Sequence, residues 1–134
     1  MHRSRLAGFI IDCQDADLPA AAAFWSQSLG LGVVGPDGSN IRLDGSAHGL
    51  IIEVQRVAHP SRVHLDIETD DVEAEVARLE DLGAQRLEKV RTFWVMQAPT
   101  GQRFCVVKAE VPLQGRAGVR EWGPSPRSTA RSPG

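Results

Sequence analysis

The segment "LAGFIIDC" at residues 6–13 is short, apolar and β-branched, which suits a buried strand. The pattern then changes in "DLPAAAAFWSQSLG", where Asp17 stands in an N-cap position, Pro19 in the first turn and Gly30 at the stop, so a helix is predicted. Strand patterns follow at 32–35, 40–44 and 49–57, separated by "GPDGSN" and "DGSAHG", both rich in turn formers. The order so far is βαβββ. It then repeats. "RVHLDIE" alternates as a strand, and "DDVEAEVARLEDLG" places Val72, Val76, Leu79 and Leu82 on one helical stripe. Asp70 and Glu73 stand in capping-box spacing, and Gly83 ends the segment. "QRLEKV", "FWVMQA" and "RFCVVKAE", the last two split by "PTGQ", supply three more strands. The fold class predicted is α+β, as two tandem βαβββ modules over about 5–58 and 61–111. Two copies are too few for a solenoid and predict a pseudo-twofold pair of half-sheets.

From Pro112 the chain changes character. "PLQGRAGVREWGPSPRSTARSPG" is rich in Pro, Gly, Ser and Arg and has no apolar period, so residues 112–134 are expected to form a flexible tail. Arg116, Arg120, Arg127 and Arg131 against Glu121 give the tail +3, which leaves −5 of the total −2 for residues 1–111. A basic tail of this kind can fold back on an acidic body. Trp122 is either the anchor for such docking or an exposed aromatic without a role.

Composition narrows the class. At 134 residues and 42% hydrophobic content the chain suffices for one compact domain, taken as 1–111. A formal charge of −2 and 5% aromatic residues give no reason to expect nucleic acid. Cys13 and Cys105 lie far apart in no metal-knuckle or redox spacing, which reads as free thiols in a reducing cytoplasm. The apolar run near the start is broken at Asp12, and no stretch approaches the roughly 20 residues of a membrane helix. A cytoplasmic, soluble protein with no membrane or nucleic-acid partner is expected. No GxSxG, P-loop or dinucleotide fingerprint occurs.

The segments "FWSQSLGLGVV", "HLDIETDDVEAEVARLEDLGA" and "APTGQRFCVVK", in this order over two βαβββ modules, resemble the vicinal oxygen chelate superfamily. This is the glyoxalase, bleomycin-resistance and extradiol-dioxygenase group, and the closest likeness is to its glyoxalase-like domain branch, over residues 6–110. The resemblance implies a curved mixed-sheet half-barrel whose concave face holds a divalent metal through one ligand from each of four strands. Substrate then chelates the metal through adjacent oxygens, and a carboxylate moves a proton. His64 matches the ligand position of the second module and Glu53 that of the first module's last strand. The opening strand offers only Gly8, Phe9 and Ile10 where a ligand belongs, and Cys105 stands where a glutamate is the metal-binding form. A metal set of His64, Glu53 and Cys105 is therefore incomplete. Zinc is the divalent ion most compatible with it, and no metal at all is the equal alternative.

Alternation on the second module's first strand sends Arg62, His64 and Asp66 to one face and Val63, Leu65 and Ile67 to the other. On the implied fold the polar face looks into the cavity, where Asp66 can orient the His64 ring. A hydrogen-bonded structural histidine is the plain alternative. Glu53 shares a face with Ile51 and Gln55, and is either a cavity carboxylate or an exposed charge. Trp94 and Met96 share one face of their strand and form either a pocket wall or core. Cys105 reads equally as a small buried hydrophobe. Phe24 and Trp25 are expected to pack helix 1 on the sheet.

Three functions fit these residues. One is a glyoxalase-like enzyme, lyase or isomerase in type, acting on a small oxygenated metabolite with Glu53 and His64 as the catalytic pair. The alternative is a metal-free protein that binds or sequesters a small molecule, as bleomycin-resistance relatives do, with Asp66, Gln55, Trp94, Met96 and Arg62 as ligand-binding residues. The third is an interaction scaffold. The resemblance also implies a homodimer.

Overall fold

The computed structural model describes residues 1–123. It comprises two compact units, one of residues 7–65 and one of residues 1–6 together with residues 66–123. Element order is β1 (His2–Gln14), α1 (Leu18–Leu29), β2 (Val33–Asp37), β3 (Asn40–Leu43), β4 (Ile51–Val57), β5 (Arg62–Thr69), α2 (Val72–Asp81), β6 (Gln85–Val90), β7 (Phe93–Gln97), β8 (Arg103–Lys108) and β9 (Arg120–Trp122). The doubled βαβββ order is present, with β9 added.

In the 7–65 unit the strands run β2-β3-β4-β1, with β1 and β4 parallel and the other pairs antiparallel. Gly8 pairs with Ile51 so closely that a Cβ at residue 8 would fall 1.7 Å from the Ile51 carbonyl oxygen. Only glycine admits this approach. Helix α1 starts at Asp17, whose carboxylate accepts from the Ala20 amide, and ends at Gly30 in the left-handed region (φ 69°). Its core is Ile11, Ala22, Leu43, Ile52 and Val54, with Trp25 packed against it. Phe24 departs from the expected packing: it is 62% exposed and meets Trp25 edge to face. Val63 and Leu65 of β5 are exposed as well, while α1 packs chiefly over β2, β3 and β4.

In the other unit β8, β7 and β6 follow in antiparallel order, and α2 covers Val76, Leu79, Met96 and Val106. The N-cap of α2 is Asp71, which accepts from Ala74, and not Asp70. Asp70 instead accepts from the Arg3 amide, while the Thr69 hydroxyl takes the Asp71 amide, so tertiary pairing moves the cap by one residue.

The expectation of a structureless tail from Pro112 is corrected over residues 112–123; its remainder lies outside the described residues. Strand β9 pairs antiparallel with His2–Ser4 of β1, and Leu113 is buried. Trp122 donates its indole N–H to Ser4 (2.9 Å) and lies under the Arg78 guanidinium, 3.9 Å from the ring centre. His2 in turn meets the fully buried Glu75 at 2.7 Å, and Arg78 binds the same carboxylate through two nitrogens. The apolar period that marks a strand is absent from "REW" because its anchor is one cation–π stack and one ladder, not a buried stripe.

Two substitutions test these contacts. Trp122→Ala is expected to lower the thermal midpoint by roughly 5 °C or more, from loss of about 2 kcal/mol of packing and cation–π attraction. Gly8→Ala is expected to cost more, about 3 kcal/mol or above, since backbone must move apart. Calorimetry of both variants checks the order.

Candidate active site

Residues that pair across parallel strands share a face, so the β1–β4 register sets one side of the 7–65 unit. Ile10 is opposite Glu53 and Asp12 is opposite Gln55. Arg42 of β3 is opposite Glu53 on its other side. This polar face lies away from the α1 core, which takes Ile11, Ile52 and Val54.

Asp12 is the most deeply placed acid of this face, its side chain 2% exposed. Its Oδ2 meets His64 Nδ1 at 2.8 Å, with Arg62 Nε at 3.8 Å and His59 Nε2 at 3.9 Å. Among the described residues Oδ1 has no hydrogen-bond partner. The β4–β5 connection is pinned so that these groups converge: Gln14 donates its amide to Ser61 Oγ and its side chain to the Ala58 carbonyl, and the Asp15 amide donates to Val57. A cavity of about 260 Å³ reaches Asp12 and Arg62, walled by Ile11, Cys13, Trp25 and Val63.

Glu53, 5% exposed, is held by the β2–β3 hairpin. Asn40 Nδ2 donates to its Oε1 (3.1 Å) and Arg42 Nε to its Oε2 (2.8 Å), while Arg42 Nη2 reaches Asp37 at 2.8 Å. Burial pushes the Glu53 carboxyl above its ordinary range, and the hydrogen bond it shares with Asp37 adds to this, outweighing Asn40 and Arg42. Asp37 moves the other way, chiefly through the same bond. Glu53 is the partner that keeps the proton.

Of the residues expected from sequence, Glu53 and His64 stand in the same unit, and Gln55 shares the face of Asp12. Arg62 is 41% exposed beside Asp12. In the other unit an Asp66 carboxylate oxygen lies within 4.8 Å of Cys105 Sγ. Of the two alternatives for Trp94 and Met96, pocket wall or core, the packing is that of core. Met96 is fully buried in the α2 core, and Trp94 packs there with its indole N–H on Glu73 and Arg86 over its ring. The strand's phase, set by α2, decides this. Asp12, Asp37, Asn40 and Arg42 were not expected. Asp12 shows in the sequence only as the acid that interrupts "GFII", and the other three sit in or beside "GPDGSN", where turn propensity accounts for Asp and Asn equally well.

The glyoxalase-like domain model matches residues 8–107, and the chain belongs to this family. No curated protein matches the sequence. Among solved structures the fold is similar to the hypothetical protein BH1468 from Bacillus halodurans C-125, at 14% identity and TM-score 0.62 over 84% of this chain and 99% of that one. It is similar also to methylmalonyl-CoA epimerase from Mycobacterium tuberculosis, at 15% identity and TM-score 0.60 over 81% and 89%. The Mn(II)-bound glyoxalase from Novosphingobium aromaticivorans shares 21% identity and TM-score 0.52 over 82% of this chain but 44% of its own. The fold is that of the vicinal oxygen chelate superfamily.

Glu53 and His64 do not suit joint metal ligation in this chain. Both Glu53 oxygens already accept hydrogen bonds, and the Arg42 guanidinium at 2.8 Å stands where a cation would be repelled. On β1, Gly8 and Ile10 offer no donor atom, and the next residue of that face, Asp12, has its Oδ2 engaged by His64.

The raised Glu53 carboxyl has a signed consequence. Ionising it costs more in the folded chain than in the unfolded one, so its contribution is present below the unfolded value and is lost as pH rises through the folded one. Glu53→Gln is expected to gain stability relative to the parent as pH rises from about 4, the ordinary carboxyl value. Thermal midpoints of both proteins at rising pH check the sign; a growing loss would mean that the Arg42 ion pair dominates.

Proposed function

We propose that this glyoxalase-like protein acts on a small oxygenated metabolite by metal-free proton transfer, with His64 as the base and Glu53 as the acid. The observation that carries the reading is the 2.8 Å contact of His64 Nδ1 with the buried Asp12 carboxylate. A carboxylate there favours the tautomer with Nδ1 protonated and the lone pair on Nε2, and stabilises the imidazolium formed when a proton is taken up. Glu53, kept protonated by burial and by Asp37, supplies a donor for a developing enolate or alkoxide oxygen, with Arg42 beside it to stabilise charge. Gln55, which shares the face of Asp12, and Arg62 beside that carboxylate would orient polar groups of the metabolite.

A second reading, ligand sequestration without turnover, is favoured by one observation: Glu53 is tied by Arg42 and Asn40 in a network that resists movement. A homodimer is expected as well, supported by exposed Phe24, Val33, Val34 and Val63 on the 7–65 unit. No helix among the described residues is long and apolar enough to cross a membrane.

The test is hydrogen–deuterium exchange at carbon, followed by NMR, over a panel of small 2-oxo acids and hydroxy ketones. His64→Gln and Asp12→Asn are each expected to reduce exchange by about 100-fold or more while the thermal midpoint stays within a few degrees. Binding without exchange would establish sequestration, and neither binding nor exchange over the panel would defeat both readings.

A further inference from the structure

Side chains alternate along a strand, so Ile11 and Cys13 of β1 and Val63 of β5 lie on the side opposite to Asp12 and His64. Ile11 and Cys13 join the core that α1 covers, and Trp25 of α1 packs there. Val63 is 58% exposed. These four are the apolar walls of the cavity of about 260 Å³, which therefore belongs to the helix side of the 7–65 unit. Cys13 serves there as a wall and not as a nucleophile: its Sγ donates to the Ile11 carbonyl at 3.4 Å, and burial, with the Asp12 carboxylate adding to it, pushes the thiol above its ordinary value. Two donors line the same cavity. Ser61 Oγ accepts the Gln14 amide and makes no other hydrogen bond among the described residues, so its O–H is left to donate. The Arg62 guanidinium makes no hydrogen bond among the described residues; its Nε stands 3.8 Å from Asp12 Oδ2, and its side chain is 41% exposed. Asp12 borders the cavity too, but its carboxylate is 2% exposed and holds His64 at 2.8 Å. The charge that the cavity presents is that of Arg62.

We infer that this cavity binds a small carboxylate with an apolar body, aryl or branched alkyl, the body against Trp25, Ile11 and Val63 and the carboxylate on Arg62 and Ser61. A carboxylate only accepts hydrogen bonds, and a guanidinium fork matches its two oxygens, so the two donors and the ligand are complementary in charge and in number. Covering Val63 and the Trp25 ring removes apolar surface from water, which a ligand without a hydrocarbon body does not do. The inference goes beyond the proton-transfer reading and shares only Arg62 with its acting and orienting groups; binding here needs neither His64 nor Glu53.

The experiment titrates the full chain at constant ionic strength with phenylacetate, with phenylacetamide, which keeps the body without the charge, and with acetate, which keeps the charge without the body. NMR follows the Ile11 and Val63 methyl signals and the Trp25 indole signal. Phenylacetate is expected to shift all three saturably, with an apparent Kd about tenfold or more below that of acetate and about threefold or more below that of phenylacetamide. Val63→Glu, at an exposed position, is expected to weaken phenylacetate about tenfold, and Arg62→Gln to bring phenylacetate level with phenylacetamide. His64→Gln is expected to leave the affinity within about twofold, since the walls lie on the other side of the strand. Absence of a saturable shift, an affinity that Val63→Glu leaves unchanged, or phenylacetamide binding as tightly as phenylacetate overturns the inference. Loss of binding in His64→Gln with Val63→Glu unaffected overturns it as well, by placing the ligand on the polar face.

Discussion

Where β1 runs beside β4, the backbone of residue 8 approaches the Ile51 carbonyl too closely for any side chain. That contact fixes the parallel register, and much else in the 7–65 unit follows from it. With residue 8 opposite 51, Ile10 must stand opposite Glu53 and Asp12 opposite Gln55, so two buried acids share one face while Ile11 and Val54 turn to the helix. A slip of one residue would exchange the faces and place Asp12 against α1.

The buried acids show how neighbours, more than depth, set protonation. Burial pushes both Glu53 and Glu75 upward. At Glu75 the bidentate Arg78 contact and His2 outweigh it and hold the carboxyl below its ordinary range. At Glu53 a second carboxyl, Asp37, adds to the effect of burial, and one guanidinium shared between the two acids does not reverse it. The first arrangement is an anchor for the N-terminal residues and α2. The second makes the Glu53 proton harder to remove than that of an ordinary carboxyl.

The metal-binding pattern of the superfamily and the polar network of this chain are alternatives in charge terms. The Arg42 guanidinium, 2.8 Å from Glu53 Oε2, places a positive charge beside that carboxyl. Family membership gives the scaffold, and the chemistry rests on the side chains placed there.

The sequence by itself determined the doubled βαβββ order, the Asp17 cap and the Gly30 stop, because capping, turn formation and apolar period act over a few residues. It also determined that Glu53 and His64 are polar positions in strands. It did not disclose their partners. Asp12 and His64 are 52 residues apart, and Asp37 and Arg42 reach Glu53 only across strands. The faces taken by Trp94, Met96, Val63 and Leu65, the shift of the α2 cap from Asp70 to Asp71, and strand β9 were decided by tertiary packing alone. A period of two says that faces alternate, but only the element laid against a strand decides which face becomes core.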